Sequence, residues 1–122
     1  MKRTEIFSKI SEFIPVKENQ IVEMAINTEK TTFTNVRDRL IGLGKILEEN
    51  FDNTYYVINV PAGVANKNAA VILVKWSEKS ISLYGYAKEG LINQHTADKA
   101  IEKVIKRLET GLITNQMYDE FS

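Results

Sequence analysis

Three segments rich in β-branched and aromatic residues follow one another in the middle of the chain. They span residues 54–60, 69–76 and 81–87, and turn-forming stretches at 61–68 and 77–80 separate them. β-Branched and aromatic side chains favour extended backbone, so each segment is predicted to form a strand. Consecutive strands usually lie side by side and pair antiparallel, which places an antiparallel sheet at the centre of the fold.

Side-chain alternation indicates how these strands are buried. Residues 69–74 are apolar at every position, which is typical of a strand covered on both faces or of a strand in a dimer interface. In the next segment, the two-residue period predicts that Ile81 and Leu83 face the core, whereas Tyr84 and Tyr86 face outward. We therefore expect a partner to close part of the second sheet face.

Three amphipathic patterns predict helices. The first covers 4–14 and ends before Pro15, because the residue before a proline disfavours helical backbone. The second runs from Asn35 to Asn50 on an i, i+4, i+7, i+11 stripe of Val and Leu. The third begins at the capping residue Thr96 and ends at Gly111.

Two further features belong to the first half of the chain. Residues 20–27 alternate as a half-buried strand does, and 31–34 are β-favouring and either extend that strand or pair with it. Gly42 and Gly44 fall inside the second predicted helix, where each costs ~1 kcal/mol relative to alanine. Close packing of this helix on the sheet is the expected reason for the two glycines.

The resulting order of elements is α-β-α-β-β-β-α. It predicts a two-layer α+β fold with a mostly antiparallel sheet of 4-5 strands and helices on one face. We expect residues 1–113 to form a single domain and 114–122 to form a C-terminal tail, because the last segment has no clear period.

Composition narrows the possible chemistry. The 122 residues include no Cys and one His, so disulfides, thiolate metal sites and thiol nucleophiles are excluded. A metal site would consist almost entirely of carboxylates, and His95 is predicted to be a solvated loop residue. We expect no catalytic residues, no metal and no cofactor.

Charge and hydropathy bear on partners and location. The 16 basic residues balance the 16 acidic ones, so the electrostatic footprint of a non-specific nucleic-acid binder is missing. Charged residues interrupt the apolar positions of the first 14 residues, so no signal peptide is predicted there. The longest apolar run, 69–74, is far shorter than the ~20 residues that span a bilayer. These features predict a cytoplasmic protein that does not bind membranes.

The leading functional hypothesis is a non-catalytic protein-interaction module of the adaptor, chaperone or inhibitor type. It would bind another protein, or a second copy as a homodimer, through the sheet face or an edge strand. Spare apolar and aromatic surface is the basis of this hypothesis. The candidate partner-binding residues are Tyr55, Trp76, Tyr84 and Tyr86.

Two alternatives remain open at this stage. A nucleic-acid-binding domain would stack bases on the sheet aromatics and contact phosphates from one basic helix face, formed by Lys99, Lys103, Lys106 and Arg107. The same aromatics would equally serve to pack under a helix, the tail or a second subunit. A small-ligand binder or enzyme would use the 61–68 loop with Asn59, Asn66 and Lys67.

Overall fold

The computed structural model describes residues 1–28, 31–63, 65, 68–88 and 95–121, with the backbone alone at 18 and 110–121. The α+β class is confirmed. Its elements in chain order are α1 (Arg3–Ser11), a 3-10 turn (Glu18–Gln20), β1 (Val22–Asn27), α2 (Phe33–Leu40), β2 (Lys45–Asn50), β3 (Tyr55–Ala62), β4 (Asn68–Trp76), β5 (Ser80–Tyr86) and α3 (Thr96–Phe121).

The five strands form one sheet in the order β1-β5-β4-β3-β2, and every neighbouring pair is antiparallel. The apolar strand β4 lies in the middle, where both of its faces are covered. Its two-sided apolar pattern therefore predicted a central position correctly. The strands β1 and β2 form the two edges of the sheet.

Helices cover both faces of the sheet, which corrects the prediction that all of them lie on one face. The side of β3 that carries Tyr56 and Ile58 packs beneath α2 and α3. The opposite side, which carries Val57, packs beneath Ile6 and Ile10 of α1. The physical reason is that β3 and β4 are apolar on both sides, and without α1 the second side would be exposed to water.

The second predicted helix is wrong beyond Leu40, since the chain turns there and forms the strand β2. The helix ends at Leu40 because Ile41 is extended, with φ −62° and ψ 128°. Gly42, at a φ of +91°, completes a turn in which Leu43 N–H donates to the carbonyl of Leu40 at 3.1 Å. Gly44 passes so close to β3 that a Cβ would meet the backbone oxygen of Asn59 at 2.1 Å. The prediction of one long helix was wrong because apolar residues spaced by four and three also fit a short helix followed by a strand.

The start of α2 also differs from the prediction. The N-cap is Thr32, whose Oγ1 accepts a hydrogen bond from the backbone N–H of Asn35 at 3.1 Å. Residues 31–34 therefore form the entry to a helix and not a strand, and Asn35 lies within the first turn. Threonine suits both extended and capping positions, so composition alone did not separate them.

The β3–β4 hairpin is tighter than its sequence indicates. Ala62 pairs with Asn68, so the predicted loop 61–68 shrinks to five connecting residues, 63–67. Trp76 N–H donates to the carbonyl of Thr54, so even-numbered residues of β3 form the hydrogen bonds to β4. The backbone nitrogen of Pro61, an odd-numbered residue, therefore points away from β4, and β3 can include a proline there. The missing N–H of Pro61 therefore costs no bond.

Two helix ends differ from the prediction. The helix α1 ends at Ser11 rather than residue 14. Thr96, which is predicted to cap α3, is instead its first residue, since Lys99 N–H donates to the carbonyl of His95. The helix continues through Gly111 to Phe121, so the predicted stop is wrong and the helix includes most of the expected tail. A glycine ends a helix when it adopts positive φ, and Gly42 and Gly63 are the positive-φ glycines of the described residues.

Candidate functional site

The four aromatic residues predicted to bind a partner are not on one surface. Tyr55 and Tyr86 are 3% and 5% exposed, and both pack beneath α1. Tyr84 is half-buried against the same cluster. Tyr84 and Tyr86 do point to the face opposite Ile81 and Leu83, but the prediction that this face is open is wrong, because α1 covers it. The alternative that these aromatics pack under a helix describes Tyr86.

Trp76 lies on the opposite face and positions the entry to α2. Its Nε1 donates a hydrogen bond to the backbone oxygen of Thr31 at 2.7 Å, and its ring meets that of Phe33 edge-on at 6.4 Å between centroids. The described sheet faces thus offer no open row of these aromatics on which bases would stack.

The predicted ligand loop is only partly described. Asn59 is half-buried in β3, opposite Lys45 of β2 and Val71 of β4. Asn66 and Lys67 lie outside the described residues. Asn59 therefore belongs to the sheet, where its carbonyl faces Gly44.

The basic face of α3 has two different parts. Lys103 Nζ donates to the carbonyl of Pro61 at 2.8 Å, and Arg107 Nε donates to the carbonyl of Arg39 at 3.2 Å. These two side chains fasten α3 to the end of β3 and to α2. Lys99 and Lys106 are exposed.

A polar cluster that sequence reasoning missed joins α1 to the sheet. Tyr55 Oη donates to Glu48 Oε2 at 2.5 Å, and Lys9 Nζ lies 3.2 Å from Glu48 Oε1. Asn50 Nδ2 donates to the tyrosine oxygen at 3.3 Å. Lys9 also pairs with Glu12 at 2.7 Å on the surface. The contributing residues are spread over 47 positions of sequence, from Lys9 to Tyr55, so no local motif could reveal them.

Electrostatics in this cluster favour the ionised carboxylate. The hydrogen bond from Tyr55, followed by the ion pair with Lys9, holds the pKa of Glu48 below its ordinary value. Burial and the neighbouring Glu48 raise the pKa of Tyr55. Glu12, followed by Glu48, raises the pKa of Lys9 against the opposing effect of burial. All three shifts favour an ionised Glu48 carboxylate between the neutral hydroxyl of Tyr55 and the ammonium of Lys9. We call these three residues the clamp, because they join α1 to β2 and β3.

We predict that Glu48→Gln destabilises the protein by about 1–2 kcal/mol at neutral pH, as loss of a charge-assisted hydrogen bond does. Because the folded-state pKa of Glu48 is lowered, its contribution is present above the ordinary glutamate pKa of ~4.3 and is lost as pH falls below that value. Urea unfolding from about pH 7 to about pH 3 should therefore show the difference between wild type and variant shrinking toward acid.

The matched control is Glu12→Gln, which removes the other carboxylate of Lys9. The Glu12 side chain is 56% exposed, and an exposed ion pair contributes less than ~1 kcal/mol. Equal effects of the two substitutions would contradict the clamp, as would a Glu48→Gln effect independent of pH.

A cleft of about 720 Å³ lies between the α1–β1 connection, the end of β5 and the start of α3. His95 and Asp98 lie on its rim, with Nδ1 and Oδ2 3.4 Å apart. The imidazole is 68% exposed, in agreement with the predicted solvated position. No Ser, Thr or Cys is among the described residues that line the cleft, so this part of the chain assembles no hydrolytic triad there.

A second groove of about 560 Å³ lies at the β2–β3 turn. Lys75 Nζ donates there to Thr54 Oγ1 at 2.7 Å and to the carbonyl of Trp76 at 3.0 Å. Burial lowers the pKa of Lys75. The ammonium therefore joins the turn to β4.

Within the described residues, no group of three or more His, Asp or Glu side chains is placed to hold a metal ion.

The edge strand β1 carries the backbone groups that are most open to a partner. Thr28 N–H donates to the carbonyl of Lys79, and this pair continues the β1–β5 register. In an antiparallel pair of strands, hydrogen-bonded and non-hydrogen-bonded residue pairs alternate. Because Thr28 is hydrogen-bonded, the even-numbered residues of β1 bond to β5. The N–H and C=O groups of Glu23, Ala25 and Asn27 therefore point away from the sheet, and no other described residue bonds to them. All three residues are exposed.

The other edge, β2, is protected in several ways. Its register shifts between Ile46 and Glu48, which is a bulge that interrupts pairing. Glu49 pairs with Arg37 of α2 at 3.4 Å, and Glu48 belongs to the clamp. Bulges and charges are the usual means by which an edge avoids pairing with another strand. The strand β1 has no bulge in its register and one charged residue, Glu23.

Comparison of the chain with protein-family models, with curated proteins and with solved structures finds no match. Among the helices of the described part, none has the length and apolar character needed to cross a bilayer.

Proposed function

We propose that this protein is a small, cytoplasmic, non-catalytic interaction module of the adaptor, chaperone or inhibitor type, and that it binds an extended polypeptide along β1. The supporting observation is the set of outward-facing backbone groups at Glu23, Ala25 and Asn27. In β-strand addition, such groups provide the affinity and the alternating side chains provide the selectivity.

The placement of α1 favours an edge over a sheet face as the binding surface. Both faces of the central strand are buried beneath helices, with Ile72 and Leu73 each 0% exposed. Of the two sheet edges, β2 is bulged and charged, whereas β1 is regular and carries Met24 at 43% exposure.

Side chains on the two sides of β1 define the partner strand. Val22, Met24 and Ile26 lie on the side of α2 and α3, where Val22 and Ile26 contact the core. Glu23, Ala25 and Asn27 lie on the other side. A complementary strand would therefore alternate apolar and polar residues and contain no proline at the bonding positions.

Ala25→Pro tests the edge directly. The N–H that proline lacks points away from β5, so the substitution leaves the sheet ladder intact, as Pro61 does in β3. The protein is immobilised and used to select binders from a random linear peptide library. We expect selected peptides to alternate in polarity and to bind Ala25→Pro at least about tenfold more weakly, because a donor is lost and the ring obstructs the edge.

The control is Ala25→Thr, which keeps the N–H and favours extended backbone. It should bind the same peptides with unchanged affinity, and circular dichroism should show both variants folded. Failure to enrich any linear peptide, or equal binding by the proline variant, would reject the proposed function.

A further inference from the structure

We propose that the strand received by β1 is β1 of a second copy of this chain, so that two sheets join about a two-fold axis. The inference rests on the proposed function of this edge and adds the identity of the partner. Its basis is that β1 is complementary to itself in one antiparallel register.

The ladder limits which registers are possible. The bonding groups that face outward belong to odd-numbered residues, so odd positions of one copy must meet odd positions of the other. A two-fold axis at Ala25 satisfies this condition and keeps most of the strand paired. It places Ala25 opposite the partner's Ala25, Glu23 opposite the partner's Asn27, and Met24 opposite the partner's Ile26.

Side chains match on both sides of the joined sheet in this register. The carboxylate of Glu23 meets an amide, and it also keeps its ion pair with Arg3 at 3.3 Å. Met24, which is 43% exposed in the single chain, gains an apolar neighbour. No like charges lie directly opposite each other, and the equal numbers of acidic and basic residues, 16 of each, remove long-range repulsion between copies.

The protected second edge explains why assembly would stop at two copies. An isologous contact uses the same patch on both subunits and closes on itself. The edge left at each end of the joined sheet is β2, where the bulge and the paired Glu48 and Glu49 oppose further strand addition. A dimer is therefore the expected assembly, and not a filament.

Sedimentation velocity over a concentration series tests the partner, and three substitutions test the edge and the register. Wild type should show a monomer–dimer equilibrium, and Ala25→Pro should sediment as a monomer. Asn27→Glu should weaken the dimer about three- to thirtyfold, because it puts a carboxylate opposite Glu23 at two symmetric positions. Asn27→Lys should strengthen it about two- to tenfold for the opposite reason.

The matched control is Asn53→Glu, which adds the same charge at an exposed residue of the β2–β3 turn and should leave the dimer constant unchanged. A wild type that is monomeric at every concentration overturns the inference, as does a dimer insensitive to Ala25→Pro. A dimer insensitive to Asn27→Glu overturns the register. Peptide binding that is lost in Ala25→Pro while wild type stays monomeric would uphold the proposed function and reject the second copy as partner.

Discussion

Gly44→Ala should destabilise the protein by about 3 kcal/mol, the upper part of the range for forcing atoms into a packed site. An added Cβ would lie 2.1 Å from Asn59 O and 3.2 Å from Val60 Cα. These obstacles are backbone atoms of β3, which cannot move aside as a flexible side chain would. The free energy of unfolding in urea measures the effect.

The neighbouring Gly42 provides the control because it lies in the same connection. A Cβ there would have 3.9 Å to its nearest neighbour, Arg107 Nη2, so the cost of Gly42→Ala is the strain of a positive φ. That strain costs about 1–2 kcal/mol. If Gly42→Ala proved as damaging as Gly44→Ala, the close approach of the two backbones would not be the reason for Gly44.

Tyr56→Ala should cost about 3–5 kcal/mol, as large-to-small changes at buried aromatic residues do. The side chain is 0% exposed, stacks on Phe33 at 4.3 Å between ring centroids, and donates its hydroxyl to Phe33 O at 2.6 Å. Tyr56→Phe keeps the ring and removes the donor, so it should cost about 1–3 kcal/mol. Equal losses in the two variants would contradict the packing contribution of the ring.

The same residue gives a pH dependence in alkaline solution. Burial raises the pKa of Tyr56 to about 12, whereas an unfolded tyrosine titrates near ~10. The stabilising contribution of the neutral hydroxyl is therefore complete below about pH 10 and is lost as pH rises toward 12. Urea unfolding at about pH 9 and about pH 11 should show wild type losing stability relative to Tyr56→Phe. A difference that stays constant across this interval would contradict burial as the cause of the raised pKa.

Contacts within the fold account for the groups whose pKa values are shifted. The groups with shifted pKa values, Glu48, Tyr55, Tyr56, Lys9 and Lys75, each have hydrogen-bonding partners within the fold. Lys75 illustrates this point, since its ammonium donates to Thr54 Oγ1 of the β2–β3 turn and to the carbonyl of Trp76. The hydrogen bonds of these groups therefore join elements of the fold to one another.

Local signals determined much of the sheet in advance. The β-branched runs of β3, β4 and β5 and the alternation of β1 predicted strands because these patterns arise from backbone preference and pleat, which act over a few residues. The two-sided apolar character of β4 also predicted its central position. The start of α3 at Thr96 followed from its amphipathic stripe.

The remaining features depend on contacts between distant parts of the chain, which only the tertiary structure decided. The strand β2 exists because Gly44 brings the chain against Asn59, a contact that outweighs the helical spacing of the leucines. The position of α1 is set by the clamp of Lys9, Glu48 and Tyr55 and by the second apolar side of the sheet. Covering that side buried Tyr55 and Tyr86. The sequence could not predict this burial, because local preference carries no information on which face a distant helix covers.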